Sequence, residues 1–509
     1  MDAKKRAIVN TFAQYSRAAI STIISLYTMR VILAALGMSD YGIYTVVAGV
    51  VSLLGFITNS LVISTQRFIS YYNGKGDVEY VKKLFSNSLF LHFVLGLFLA
   101  LLLILLQPIL FNHVLTIDSE RIQSAEIVYL LTILMLFMTI LTASFKAVLI
   151  AHENIVYISI IEIADSLLRL VLVMRLPHYG GDSLIFYSCI MAGVSLVNFI
   201  AFSGYSLVKY PECHLQGIFK DLRISIQKQF SDFVGWTTYG MGSIILRNQG
   251  IAVIFNHFFG SIINAAYGIA MNVYGSVTII STSIMNALNP QIMKAEGYGN
   301  RELMLHLSEK ESKYSEMLLL LILTPLLFEM PSILMIWLGQ TNEDMVFFSR
   351  ILLIGLMFDQ VTLGLNAANQ ALGKLRNYCL LMYTPKLLIL PLGYLILYNS
   401  ENAKYVMYLY LIVELLVSLM RLPYLHVTAG LDIPHFIREV FLPLLPLACI
   451  QFVVGSICVT FIDSPLRWIL TIGLSLLLGT VVSYYMVLNR TERAFFYSLI
   501  HKKASSSDA

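Results

Sequence analysis

Fourteen runs of about 20 apolar residues follow one another along this 509-residue chain, each long enough to cross a bilayer as a helix. Their approximate limits are 7–36, 42–71, 85–111, 124–150, 155–176, 184–208, 230–256, 261–293, 315–338, 346–372, 377–398, 404–428, 437–461 and 465–488. Charged residues make up 13% of the chain, about half of what a soluble protein carries, too few to solvate a surface of this size. The fold class expected is an all-α polytopic membrane protein. No connecting segment exceeds about 25 residues, which leaves no room for a soluble catalytic domain, so no enzyme activity is expected.

Orientation follows from the basic residues. With the N-terminus in the cytoplasm, 23 of the 34 Lys and Arg fall in inner segments and very few in outer ones. Retained cytoplasmic positive charge sets topology, and an even number of spans places both termini inside. The start, MDAKKR, leads into a long segment holding Gln14 and Arg17 and lacking a small-residue cleavage site, so it reads as a first span and not as a signal peptide. Five dispersed cysteines form no CxxC or Cys/His cluster, so neither a disulfide framework nor a metal site is expected. No nucleotide-binding loop of the GxxxxGK[ST] type is present, and no cofactor is called for.

The chain repeats itself. From Arg30 to Asp77 it reads as the end of one helix, a turn at Gly37-Met38-Ser39-Asp40, and a second helix running to a polar Gly-bearing loop. A weaker copy spans Ala252 to Arg301, with Tyr41-Gly42-Ile43 matched by Tyr267-Gly268-Ile269 and Gln66 by Gln291. The copies begin at spans one and seven, so both insert the same way round, as parallel repeats do. The organisation expected is a six-helix bundle at 1–209, a basic linker at 210–228, a second bundle at 229–428, two further spans within 429–503 and a low-complexity tail at 504–509.

Charges inside spans are costly and mark function or pairing. Arg17, Arg30, Arg67 and Arg247 lie in the repeat-equivalent helices or close them. Guanidinium keeps its charge and offers a planar donor fork that suits phosphate, so these arginines are candidate contacts for an anionic substrate. Pairing with a carboxylate or snorkelling to an interface is the alternative for each. Glu162, Asp165 and Arg169 share one helix face, with Asp165 and Arg169 spaced for an ion pair. Asp359 and Glu414 have no cation near them along the chain. Together with Glu162 they are the candidates for a carboxyl that couples transport to an ion gradient.

The pattern Gly37-xxx-Tyr41-Gly42 followed by Arg67, and its partner from Phe259-Gly260 through Tyr267-Gly268 to Asn289-Pro290 and Gly299-Asn300, resembles bacterial polysaccharide exporters. These are the Wzx-type O-antigen and capsule flippases, in the superfamily that also holds the MATE multidrug exporters. The resemblance implies a flippase of the inner membrane that moves an undecaprenyl-diphosphate-linked oligosaccharide between leaflets by alternating access around a cationic cleft, alongside other polysaccharide assembly proteins. It would serve surface polysaccharide (O-antigen, lipopolysaccharide) biosynthesis. The partners it implies are this lipid-linked sugar and membrane lipid, with no nucleic acid. An ion-coupled multidrug exporter of the MATE kind is the alternative; acidic residues are expected to dominate its cavity, where arginine is in excess here. The topology has a direct check: Ser119→Cys and Asn342→Cys are expected to react with a membrane-impermeant thiol reagent from outside, and Ser225→Cys is not. Outside labelling at 225 overturns the layout.

Overall fold

The computed structural model describes residues 3–52, 54–114, 117, 119–214, 222–339 and 341–494. Among these the chain is helical throughout, with no strand. The helices are α1 (Ala3–Ser52), α2 (Gly55–Lys75), α3 (Val78–Ile109), α4 (Ile122–Ala151), α5 (Ile155–Val173), α6 (Ser183–Lys209), α7 (Ile224–Gly297), α8 (Arg301–Leu338), α9 (Glu343–Gln360), α10 (Leu363–Leu372), α11 (Leu375–Asn399) and α12 (Lys404–Ala429). Two more follow, α13 (Ile433–Phe461) and α14 (Arg467–Val487). Among the described residues nine helices are long and apolar enough to cross a membrane, or ten if the bent pair α9–α10 is one span. Outward faces such as Phe98, Leu101 and Leu105 of α3 are exposed, as lipid-facing surface requires. This is a multi-pass membrane protein.

Two elements hide reversals of the chain. In α1, Gly37 has φ 70° and ψ 175°, a conformation that glycine adopts without a Cβ clash. Before it, Asn10 donates to the Glu153 carbonyl at 2.8 Å and Ser21 meets Ser166 at 3.0 Å, so this half runs alongside α5 in the same direction. Beyond it, Asp40 binds Arg121 and Tyr44 packs on Tyr187 at 4.7 Å, at the start of α6. The expected turn at Gly37–Asp40 is therefore present.

As one straight rod, the 74 residues of α7 would extend about 110 Å, against a hydrocarbon core of about 30 Å. Contacts exclude that. The Phe255 and Tyr267 rings lie 5.4 Å apart, where twelve residues of straight helix would separate them by about 18 Å. The chain therefore doubles back between these rings, as the separate runs 230–256 and 261–293 require.

Within the run 42–71, Leu54 lies in a turn directly before α2.

The chain divides into two compact units, 1–242 with 286–300 and 243–285 with 301–509. The two ends of α7 belong to the first unit and its middle to the second. In the first, the end of α2 and the end of α7 cross at backbone distance. A methyl on Gly74 would collide with the Lys294 carbonyl, and one on Gly297 with the Tyr71 carbonyl. In the second, Gly364 of α10 lies against the Ser308 carbonyl of α8.

Lipid offers no partner for backbone groups freed where a helix breaks. At two such breaks among the described residues of the second unit, an arginine supplies the donor. Pro331 has no N–H for the Leu327 carbonyl four residues back, and Glu329 beside it departs from helical geometry (φ −95°, ψ 16°). Arg350 donates to that carbonyl instead, at 2.7 Å, and to the Phe328 carbonyl at 3.3 Å. Between α9 and α10 the chain bends by 48°. There Arg421 donates to the Asp359 carbonyl at 3.0 Å and to Thr362 Oγ1 at 3.1 Å.

Gly297→Ala is expected to lower the thermal stability of the purified protein by about 1–3 kcal/mol, the range for overpacking a tight contact. Gly275→Ala, where an added methyl meets nothing within 4 Å, is expected to leave the melting temperature unchanged. Equal melting curves for the two variants would rule out the α2–α7 crossing.

Candidate functional site: two cationic clusters

In the first unit, Glu162 of α5 stands between two cations. Arg17 of α1 binds its Oε2, and Lys146 of α4 donates to its Oε1 at 2.5 Å. Two positive charges share one carboxylate. The side chains are partly open, with 29% exposure for Arg17, 35% for Lys146 and 21% for Glu162. Arg17 Nη2 reaches Gln14 Oε1 at 3.4 Å, and its Nε–H has no acceptor among the described residues. The guanidinium therefore keeps donor capacity unused. One turn further along α5, Arg169 Nε meets Asp165 Oδ2 at 3.0 Å, and Asn198 donates to the same carboxylate at 2.5 Å. The spacing-based pair is thus present.

In the second unit a larger network joins four helices. Arg247 of α7 binds Glu414 Oε1, and its guanidinium lies 4.8 Å from the Tyr410 ring centre. Lys386 of α11 donates to Glu414 Oε2 at 2.7 Å and stands 3.6 Å from Asp359. Arg421 of α12 donates to Asp359 Oδ1 at 2.6 Å. Three cations face two carboxylates, so the network carries a net charge of one positive. Arg247, Lys386, Glu414 and Arg421 are almost wholly buried, and only Asp359 is partly open, at 23%.

The candidates from the sequence fall into distinct settings. The premise that Asp359 and Glu414 lack a cation holds along the chain and fails across the bundle. Each has two, brought by other helices, and Glu162 has two as well. Arg247 is locked onto Glu414, whereas Arg17 is partly open. Arg67 is buried among rings, with Phe68 at 4.7 Å, Tyr71 at 4.8 Å and Phe233 at 5.3 Å from its guanidinium carbon. The Arg30 side chain lies outside the described residues. Three participants went unassigned: Lys146, Lys386 and Arg421. Lys146 and Arg421 lie within the runs 124–150 and 404–428, and only their partners from distant helices reveal them. Among the described residues no group of three or more His, Cys, Asp or Glu could hold a metal ion.

Fold and clusters define a polytopic helical membrane protein, built of two units with broken helices and buried charge networks. No family model and no curated protein matches the sequence. The fold is that of the MATE transporters of the MOP superfamily. An outward-facing multidrug-resistance MATE transporter superposes with TM-score 0.74 at 13% identity, covering 84% of this chain and 96% of that one. A MATE structure in complex with MaL6 gives 0.72 at 14% identity, covering 84% and 97%. A MOP-superfamily transporter from Pyrococcus furiosus, described by a binding pocket of reversed polarity that suggests a different function, gives 0.69 at 12% identity, covering 84% and 96%. At these identities the likeness is one of fold.

Removing one partner of a buried ion pair strands the others and costs about 3–5 kcal/mol. Glu414→Gln, which leaves Arg247 and Lys386 without their shared carboxylate, is expected to destabilise the protein by that amount. Adding Lys386→Met, which takes away one stranded cation, is expected to restore part of it. A Glu414→Gln protein that melts with the wild type would show that the network does not hold the bundle together.

Proposed function

We propose that this chain is a transporter, not an enzyme, that moves a lipid-linked oligosaccharide across the bacterial inner membrane, with both termini in the cytoplasm. Its substrate is carried on undecaprenyl diphosphate and passes from the cytoplasmic to the periplasmic leaflet by alternating access, for surface polysaccharide synthesis. The observation that carries this reading is the Arg17–Lys146–Glu162 cluster. Two partly open cations share one carboxylate, and the guanidinium has a donor to spare. A diphosphate presents several anionic oxygens to such a pair, and the arginine fork can bind two of them side by side. The resemblance in the Gly37 to Arg67 segment and its repeat points to the same substrate class.

A MATE-like multidrug exporter is the second reading, favoured by the names of the transporters that share the fold. Cationic drugs would meet two clusters with excess positive charge here, which weighs against it. Coupling to an ion gradient, with Glu162, Asp359 or Glu414 as the responding carboxyl, is part of either proposal. In each case the carboxylate would have to exchange its cations as access changes.

Arg17→Ala and Lys146→Ala are each expected to cut flipping of the lipid-linked unit at least tenfold in a strain deleted for the native gene. Arg17→Lys, which keeps charge and loses the fork, is expected to retain part of it. Surface polysaccharide and cytoplasmic-side accumulation of the lipid-linked unit are the readouts. Wild-type export by both alanine variants would overturn the diphosphate role. Drug sensitivity with intact surface polysaccharide in the deletion strain would favour the multidrug reading.

A further inference from the structure

The carboxylates already described all have cations. One other does not. Glu316 of α8 is 5% exposed, and its Oε2 has no hydrogen-bond partner among the described residues. No charged group among the described residues acts on it. An ionised carboxylate held in such a place without a counter-charge costs several kcal/mol.

Two contacts set the register of α8 against the α9–α10 chain. Arg350 reaches the carbonyls of Leu327 and Phe328, and Gly364 packs on Ser308 and donates its N–H to Ser312 Oγ at 3.0 Å. The two chains are therefore antiparallel. Glu316 lies between these contacts on α8, and its level on the other chain is that of Asp359 and Gln360. Gln360 is the last residue of α9, directly before the 48° bend. It is 4% exposed, and its Oε1 also lacks a partner. Two buried acceptor oxygens thus stand without a donor at one level of the bundle. A single proton on the carboxyl would satisfy both.

We propose that Glu316 carries a proton, donated in a hydrogen bond to Gln360 Oε1, and that this carboxyl is a protonation site placed at the break between α9 and α10. The charged groups around it are occupied elsewhere. On α8, Lys313 and Tyr314 are held on Glu492, and buried Glu311 lies more than a turn away along the helix. On α9, Asp359 is taken by Arg421 and Lys386. On α14, Arg467 is bound to Glu329. In α13, Gln451 donates to the Ser475 carbonyl. Loss of the proton would leave a bare anion beside the bend and an unpaired Gln360. The bent chain also carries Asp359, so protonation at Glu316 and the cationic network meet at one short segment.

The test is infrared difference spectroscopy of the full-length protein in lipid, between acidic and alkaline buffer. A protonated-carboxyl C=O band is expected at neutral pH and should vanish in Glu316→Gln. In Gln360→Leu the band should persist and move to higher wavenumber, because the hydrogen bond is lost. If Glu316→Gln does not fold, Glu316→Asp serves, with an expected shift of the same band. A band unchanged by Glu316→Gln or Glu316→Asp overturns the proposal. A band lost in the glutamine variant but unmoved by Gln360→Leu overturns the hydrogen bond to Gln360. None of these readouts depends on what the protein transports, so the proposal stands or falls apart from the substrate reading.

Discussion

The constraint on which the rest depends is that a backbone carbonyl facing lipid has no water to bond. A bundle of unbroken helices meets it without side chains, but this chain bends at Glu329 and between α9 and α10 within the second unit. At each break an arginine from a neighbouring helix supplies the missing donor. Arg350 replaces the N–H that Pro331 lacks, and Arg421 serves the carbonyl at the α9–α10 bend. A break is costly to form and cheap to move once its partner is a side chain, because a guanidinium can exchange acceptors where a peptide N–H cannot. Arginine inside a span is in this sense part of the helix geometry before it is part of any site.

Bringing guanidinium into the bundle then obliges the carboxylates. Arg421 spans both roles, with one nitrogen on the Asp359 carbonyl and another on the Asp359 side chain. From Asp359 the network passes to Lys386, then Glu414, then Arg247. Buried charges at this density are tolerated only when each has partners from several directions, and four helices provide them. The network counts three cations to two anions, and the smaller cluster at Glu162 counts two to one. Both lean the same way. Leftover positive charge is a standing attraction for an anion, and in the smaller cluster the partners are open enough to receive one.

Glu316 inverts this pattern. It is a carboxyl without a cation among the described residues, in the unit that holds the Asp359–Glu414 network, and it stands at the level of the same bend that Arg421 supports. Charge in this unit is therefore balanced in two ways, by cations around Asp359 and Glu414 and by a proton at Glu316. The second can respond to pH by losing its proton.

The sequence by itself determined the class. Runs of apolar residues with so little charge have only helical crossings available to them, and the repeat of a Gly turn between apolar runs announced the reversals seen at Gly37 and between Phe255 and Tyr267. The Asp165–Arg169 pair was legible too, because four residues along a helix is a contact set by local geometry. Tertiary structure decided the rest. Glu414 reads as isolated in Leu-Ile-Val-Glu-Leu-Leu-Val, yet its partners come from positions 247 and 386, far away in the chain. Lys146 and Arg421 join their clusters through carboxylates on other helices, which the sequence does not place beside them. The isolation of Glu316 left no mark either. The physical reason is the same in each case. Helical periodicity fixes which residues share a face, but which face meets which is set by how whole helices pack, and the electrostatics of a buried group belong to that packing.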